Sequence, residues 1–242
     1  MDDPRRALRE IFGFDSFRPG QEEAVRGVLE GRDALVVMPT GAGKSLCYQL
    51  PALLRPELSI IVSPLVSLMQ DQVQALERRA PGRVALVNAQ RDAGENREVL
   101  DRARSGDLRL LYVAPERFSS PGFLEALRDV PIGLFAVDEA HCVSQWGHDF
   151  RPDYFRLADA ARWLGARSLV ASTATATPQV AADIERRLAL RDPVRVATGF
   201  DRPNLTFAVA PSRSLADSRA KLAAALSEPA ARPAEAAIAA NA

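Results

Sequence analysis

Short, nearly continuous apolar runs recur along the chain, separated by stretches in which apolar residues return every three or four positions. The runs fall at 34–38 (ALVVM), 59–62 (SIIV), 84–87 (VALV), 109–113 (RLLYV), 133–137 (GLFAV), 168–171 (SLVA) and 194–197 (VRVA). Runs this short and this uniformly apolar predict strands buried on both faces. The helical period occupies 44–54, 65–79, 95–104, 121–128, 155–163 and 178–188. Strands of this type alternating with helices predict an α/β fold, a doubly wound and mostly parallel sheet. Two helix starts are chemically explicit: Ser63-Pro64 and Thr177-Pro178 each offer a hydroxyl N-cap followed by proline at the first helical position.

From about residue 211 the pattern changes. Residues 223–242 hold 11 alanines in 20 positions, two prolines and no aromatic side chain, so no core is expected there. The chain of 242 residues is therefore divided into one large domain, 1–210, and a remainder, 211–242. Apolar residues make up 47% and charged residues 26%, which excludes a disordered chain. No apolar run approaches the roughly 18 residues of a membrane span. The start, MDDPRRALREIF, carries no apolar core after its charges, so no secretory leader is expected. Two cysteines, Cys47 and Cys142, supply neither a disulfide framework nor a four-thiolate zinc site; a cytoplasmic protein with reduced thiols is expected. Acidic and basic residues balance at 31 each, so any nucleic-acid contact must come from local placement of arginine. Lysine occurs only at Lys44 and Lys221, which draws attention to both.

Lys44 lies in MPTGAGKS, residues 38–45, directly after the first predicted strand. A glycine-rich turn lets successive backbone N–H groups converge on phosphate oxygens, and the following helix adds the positive end of its dipole. Lys44 is placed for the β- and γ-phosphates and the Ser45 hydroxyl for Mg²⁺. The strict pattern fails at its first glycine, where Met38 stands. Asp138 and Glu139 follow the run GLFAV; one carboxylate at a strand end can hold Mg²⁺ while its neighbour polarises water. Both serve only if the strand stops there, since consecutive strand residues face opposite sides.

Three further segments carry weaker signals. Ser172-Thr173-Ala174-Thr175 could relay hydrogen bonds from the nucleotide site, or simply precede the helix at Pro178. Residues 142–155, CVSQWGHDFRPDYF, interleave aromatics with arginine, which suits stacking on unpaired bases, although a buried aromatic cluster is equally compatible. His141, His148 and Cys142 make a weak case for zinc. In FGFDSFRPGQ, residues 12–21, Phe14 could stack on a purine and the Gln21 amide read its edge, or the pair could merely pack and cap. The loops after five predicted strands all fall on one edge of a parallel sheet, where ligands bind in such folds.

The order FRPGQ, MPTGAGKSLCYQLP, VSPLVSLMQDQV, YVAPERF, DEAHCVSQWGHDFRP, STATAT and GFDRPN resembles the first motor domain of the RecQ family of DNA helicases, within helicase superfamily 2, over about residues 8–207. The resemblance implies a RecA-like P-loop fold that binds ATP and Mg²⁺ and acts on single-stranded or forked DNA, unwinding it 3′ to 5′ in repair and recombination. It implies ATP-binding roles for Phe14, Arg18, Gln21, Thr40, Gly41, Gly43, Lys44 and Ser45. Ser45 and Asp138 would hold Mg²⁺, with Lys44, Asp138 and Glu139 the catalytic set. Trp146, His148, Phe150 and Arg151 would fall on a loop coupling DNA to hydrolysis. A location in the cytoplasm, with the nucleoid in a bacterium, follows. The family's second motor lobe and its zinc-binding cysteine cluster find no counterpart in residues 211–242, which read as the start of that lobe or an alanine-rich tail. The expectation is a lobe that does not unwind alone, or alternatively a non-hydrolysing nucleotide- and DNA-binding module. A DEAD-box RNA helicase lacks the QWGHDFRP loop, and a small-molecule kinase has no use for it.

Overall fold

A computed structural model describes residues 3–88, 92–146, 149–199 and 211–227. His148 and most of the GFDRPN segment lie outside the described residues. The chain divides into two units, Met1–Gly199 and Phe200–Ala242.

The first unit is built on seven strands: β1 (Ala34–Val37), β2 (Leu58–Val62), β3 (Val84–Val87), β4 (Leu110–Val113), β5 (Ile132–Val137), β6 (Ser168–Thr173) and β7 (Val194–Ala197). They pair in the order β3-β4-β2-β5-β6-β1-β7, and every described pairing is parallel. Each predicted apolar run lies on one of these strands. Side chains alternate between the faces as strand geometry requires. Leu35, Val37, Ile60, Val62, Phe135 and Val137 point to one core, and Ala34, Val36, Ile61, Leu134 and Ala136 to the other.

The helices cover both faces. On the second core lie α1 (Pro4–Ala7), which runs on through Leu8–Phe12, then α2 (Gln21–Leu29), α3 (Leu46–Leu54) and α4 (Val66–Glu77). On the first lie α5 (Ala93–Arg104), α6 (Pro121–Ala126), α7 (Leu157–Trp163) and α8 (Pro178–Arg187). Helices on both faces of a parallel sheet make the unit doubly wound, as expected. The hydroxyl caps divide. Thr177 caps α8, its Oγ1 accepting from Val180 N at 3.3 Å. Ser63 caps nothing: its N–H donates to Val113 O at 3.3 Å, so it still belongs to the ladder, and α4 begins only at Val66 behind Leu65.

Within the second unit the described helix is α9 (Leu215–Ser227). Lys221 accounts for itself locally, donating to Asp217 Oδ2 at 2.8 Å and to Pro211 O at 2.6 Å. No helix among the described residues is long and apolar enough to cross a membrane.

Candidate nucleotide site at the carboxyl edge of the sheet

The glycine-rich loop runs from the end of β1 to the start of α3. Met38 N–H donates to Thr173 O at 3.1 Å, so the loop leaves the sheet tied to the end of β6. Gly41 and Gly43 adopt φ of +87° and +83°, a left-handed region that a Cβ disfavours. At Gly43 the reason is doubled, because an added Cβ would stand 2.6 Å from Gln21 Nε2. Lys44 and Ser45 follow at the α3 N-terminus, where the positive end of the helix dipole favours anions.

Gln21 opens α2 and is buried. Its Nε2 donates to Ala42 O at 3.2 Å and Gly43 O at 3.0 Å, while its Oε1 accepts from Arg18 N at 2.8 Å. Arg18 Nη1 donates to Gly41 O at 2.6 Å. Both side chains therefore grip the glycine loop itself, which sequence alone did not reveal. Beside them lies a hollow of about 250 Å³ lined by Phe14, Arg18, Gln21, Ser45, Gln49 and Arg79. Phe14 is 48% exposed, with one face toward Phe12 at 6.5 Å between centroids. Arg79, which the sequence reading did not mark, sits 5.3 Å over the Phe12 ring.

The carboxylates meet the loop from β5, which ends at Val137. Asp138 is 4% exposed, and Tyr48 OH donates to its Oδ2 at 3.3 Å. Its Oδ1 is buried with no hydrogen-bond partner. Burial pushes its carboxyl up to about 6; Glu139 adds to that rise and Lys44 opposes it. Lys44 thus acts electrostatically on the carboxylate across the site. Two further buried hydroxyls without a partner, Ser63 Oγ and Ser172 Oγ, stand at or just beyond the carboxyl ends of β2 and β6. The edge on which the loops converge is also where polar atoms await partners.

Glu139 turns the chain out of the sheet with φ 48° and ψ 46°, a left-handed conformation that costs a non-glycine residue about 1–3 kcal/mol and clusters at functional sites. The turn lets Asp138 and Glu139 escape the opposite-face geometry of a continuing strand. Glu139 Oε2 lies 3.3 Å from His141 Nδ1, and His141 Nδ1 lies 2.9 Å from Thr173 Oγ1. Thr173 Oγ1 is in turn within 3.2 Å of Thr175 O. The threonine segment is therefore connected by hydrogen bonds to the acidic pair.

The aromatic segment divides by burial. Trp146 is 66% exposed, and Phe150 and Phe155 are exposed with centroids 5.1 Å apart. Arg151 pairs with Asp149 at 2.9 Å, and Arg187 of α8 covers Phe155 at 4.8 Å. Tyr154 is fully buried instead, and its OH donates to Asp138 O at 3.2 Å. The segment is thus half surface and half core, anchored to the acidic strand end. Ligand atoms of His141, Cys142 and Asp149 lie within 4.8 Å of one another, and burial pushes the Cys142 thiol up to about 12.

Two buried residues of α3 went unmarked in the sequence. Gln49 Nε2 donates to Tyr112 OH at 2.9 Å and to Gln72 Oε1 at 3.1 Å. Tyr48 lies within 3.4 Å of the same Gln72 oxygen. Tyrosines inside apolar runs read as ordinary core, and only the strand order brings them together.

Comparison with known proteins agrees with this geometry. A Bacillus subtilis protein named probable ATP-dependent DNA helicase RecS is 44% identical over 205 residues, 85% of this chain and 41% of its own length. The B. subtilis ATP-dependent DNA helicase RecQ is 46% identical over 84% of this chain and 34% of its own length. The chain thus spans about a third to two fifths of the length of these relatives and is homologous to their motor domain. The helicase Lhr of Mycobacterium smegmatis, solved with single-stranded DNA and AMP-PNP, superposes with a TM-score of 0.64 at 23% identity, over 82% of this chain and 28% of that one, which shows the shared fold. The DEAD/DEAH box helicase model matches residues 18–184, most of the chain, and the chain belongs to the DEAD/DEAH box helicase family.

Proposed function

We propose that this chain carries the ATP-binding first motor lobe of a RecQ-type DNA helicase, the lobe occupying about residues 1–210. The observation that carries the reading is the meeting of Lys44, Ser45 and the buried, half-unpartnered Asp138 at the carboxyl edge of the sheet. A carboxylate oxygen with no protein partner beside a phosphate-type loop fits a hard divalent cation. Ser45 and Asp138 would hold Mg²⁺, which would neutralise charge on the bound phosphates. Thr40, Gly41, Gly43 and Lys44 cradle the phosphates, Lys44 as a direct counter-ion. Adenine enters the hollow at Phe14, Arg18 and Gln21. Because Gln21 and Arg18 also hold the glycine loop, base recognition and phosphate recognition are mechanically joined. Glu139 accepts a proton from the attacking water; it touches His141, which in turn touches Thr173, so the acidic pair is linked toward Thr175.

Trp146, Phe150 and Arg151, with His148, form the surface that meets single-stranded or forked DNA. The exposed aromatics stack on bases, and Tyr154 links the segment back to Asp138. Unwinding runs 3′ to 5′ in the cytoplasm, alongside the chromosome, and requires a second lobe for the arginine that meets charge on the γ-phosphate. The test is ATP hydrolysis with and without single-stranded DNA by the chain joined to a second motor lobe, comparing Glu139→Gln with the parent. Loss of hydrolysis with nucleotide affinity retained supports the reading; unchanged turnover overturns it.

A further inference from the structure

The buried polar groups between α3, α4 and β4 can be counted donor by donor. Gln49 Nε2 has two protons, and they reach Tyr112 OH at 2.9 Å and Gln72 Oε1 at 3.1 Å. Tyr112 OH, having accepted from Gln49, donates its own proton to Gln72 Oε1 at 2.8 Å. A carboxamide oxygen has two lone pairs, and Gln49 and Tyr112 fill both. The Tyr48 hydroxyl, at 3.4 Å from that oxygen, arrives as a third and more distant donor. Its single proton is left for Asp138 Oδ2 at 3.3 Å. Tyr48 and Tyr112 are fully buried and Gln49 nearly so, while Gln72 is half-buried, so water offers the two tyrosine hydroxyls and the Gln49 amide no ready substitute.

We infer that Tyr48 is a positioning residue for the metal-binding carboxylate: the Gln49–Tyr112–Gln72 set saturates the Gln72 oxygen, directs the Tyr48 proton onto Asp138 Oδ2, and so leaves Oδ1 free for the cation. The inference rests on the reading of Asp138 as the Mg²⁺ carboxylate. It assigns work to Tyr48, Gln49, Tyr112 and Gln72, the last of them on α4. Hydrogen bonds to a ligating carboxylate fix its orientation, and their loss generally lowers metal affinity about 10- to 100-fold. The Tyr48 contact is long, so the lower end applies. Tyr112 makes no hydrogen bond to Asp138, yet its hydroxyl matters: without it one Gln72 lone pair opens, and Tyr48 divides its proton between two acceptors.

The experiment measures the affinity of the 242-residue chain for a fluorescent ADP analogue, in EDTA and across a Mg²⁺ titration. The ratio of the two affinities reports metal binding without turnover. For Tyr48→Phe the ratio falls about tenfold, with affinity in EDTA and the thermal transition close to the parent's. For Tyr112→Phe it falls about two- to threefold, again with EDTA affinity unchanged. A ratio equal to the parent's in both variants overturns the inference. Equal losses in EDTA and in Mg²⁺ also overturn it, because they show a packing role only. If Tyr48→Phe does not fold, Tyr112→Phe decides by itself. Asp138→Asn separates the two levels: if it abolishes the Mg²⁺ effect while Tyr48→Phe leaves it intact, the network fails and the metal reading stands. If Asp138→Asn leaves the Mg²⁺ effect intact, both fall, and the fault lies in the metal reading.

Discussion

Gly41→Ala and Gly43→Ala make two nearly identical changes in one loop, and the structure separates their costs. Both positions have φ near +85°, so each alanine pays the left-handed penalty of roughly 1–2 kcal/mol. At Gly41 an added Cβ meets nothing within 4 Å, so that penalty is the whole cost. At Gly43 the methyl group would sit 2.6 Å from Gln21 Nε2. Gln21 must then withdraw from Ala42 O and Gly43 O, two bonds worth about 1 kcal/mol each. Gly43→Ala is therefore expected to destabilise the chain by about 3–4 kcal/mol and Gly41→Ala by about 1–2 kcal/mol. Urea titrations of the parent and both variants read the difference. A double-mutant cycle sharpens it: in a Gln21→Ala background the clash disappears, and Gly43→Ala falls to the cost of Gly41→Ala, a coupling of about 1–2 kcal/mol. Equal destabilisation by the two alanines, or no coupling to Gln21, refutes the claim that Gln21 braces the loop.

Lys44→Ala removes a charge-assisted contact worth roughly 1.5–3 kcal/mol, so ATP affinity drops at least about tenfold by calorimetry, and equal affinity would remove Lys44 from the site. Trp146→Ala leaves the thermal transition within about 0.5 kcal/mol of the parent because the ring is largely exposed. In the chain joined to a second motor lobe it should remove stimulation of hydrolysis by single-stranded DNA, stacking being worth about 1–3 kcal/mol per base; a collapsed melt would make the ring a core element. Asp138, raised from 3.8 to about 6 by burial, binds its proton more tightly folded than unfolded, so its penalty on stability is absent below pH 4, grows as pH rises to 6 and then stays constant. At about 1.4 kcal/mol per pH unit, Asp138→Asn should gain roughly 2–3 kcal/mol relative to the parent between pH 4 and pH 7.5 in urea titrations, and a gap independent of pH contradicts this. Purified as 242 residues, the chain should bind ATP–Mg²⁺ yet hydrolyse it at least about three decades more slowly than the same chain joined to a second motor lobe, the usual contribution of an arginine supplied from such a lobe; robust unwinding of a forked duplex by the chain alone refutes that division of labour.

The sheet was legible because strands buried on both faces are apolar without interruption, and each of the seven runs lies on a strand. The helices α1 and α2 were not, because Arg5, Arg6, Arg9 and Glu10 interrupt Leu8 and Phe12, and Gly27 lies inside α2; tertiary packing overrides these weak local signals. Ser63-Pro64 read as a cap, but Pro64 is compatible with an extended chain as well as a first helical turn, and the ladder bond to Val113 prevailed. Lys44, Ser45, Asp138 and Glu139 were marked because their chemistry is local in sequence. The grip of Arg18 and Gln21 on the loop and the Tyr48–Gln72 contacts were not, since they join residues about twenty positions apart or more. Tyr154 read as one aromatic among several, and only its burial distinguishes it from Trp146.

Everything above depends on nucleotide binding at the carboxyl edge between the glycine loop and Asp138. The direct measurement is a crystal structure of the chain grown with ADP and Mg²⁺. The account predicts phosphate oxygens within hydrogen-bond distance of the backbone N–H groups of residues 41–45 and of Lys44 Nζ, with the cation on the side of Ser45 and Asp138 Oδ1. A second hollow of about 560 Å³, lined by Asp33, Arg162 and Arg191, lies apart from every residue of that site. ADP seated there, with the glycine loop still held by Gln21 and empty of phosphate, would contradict the claim.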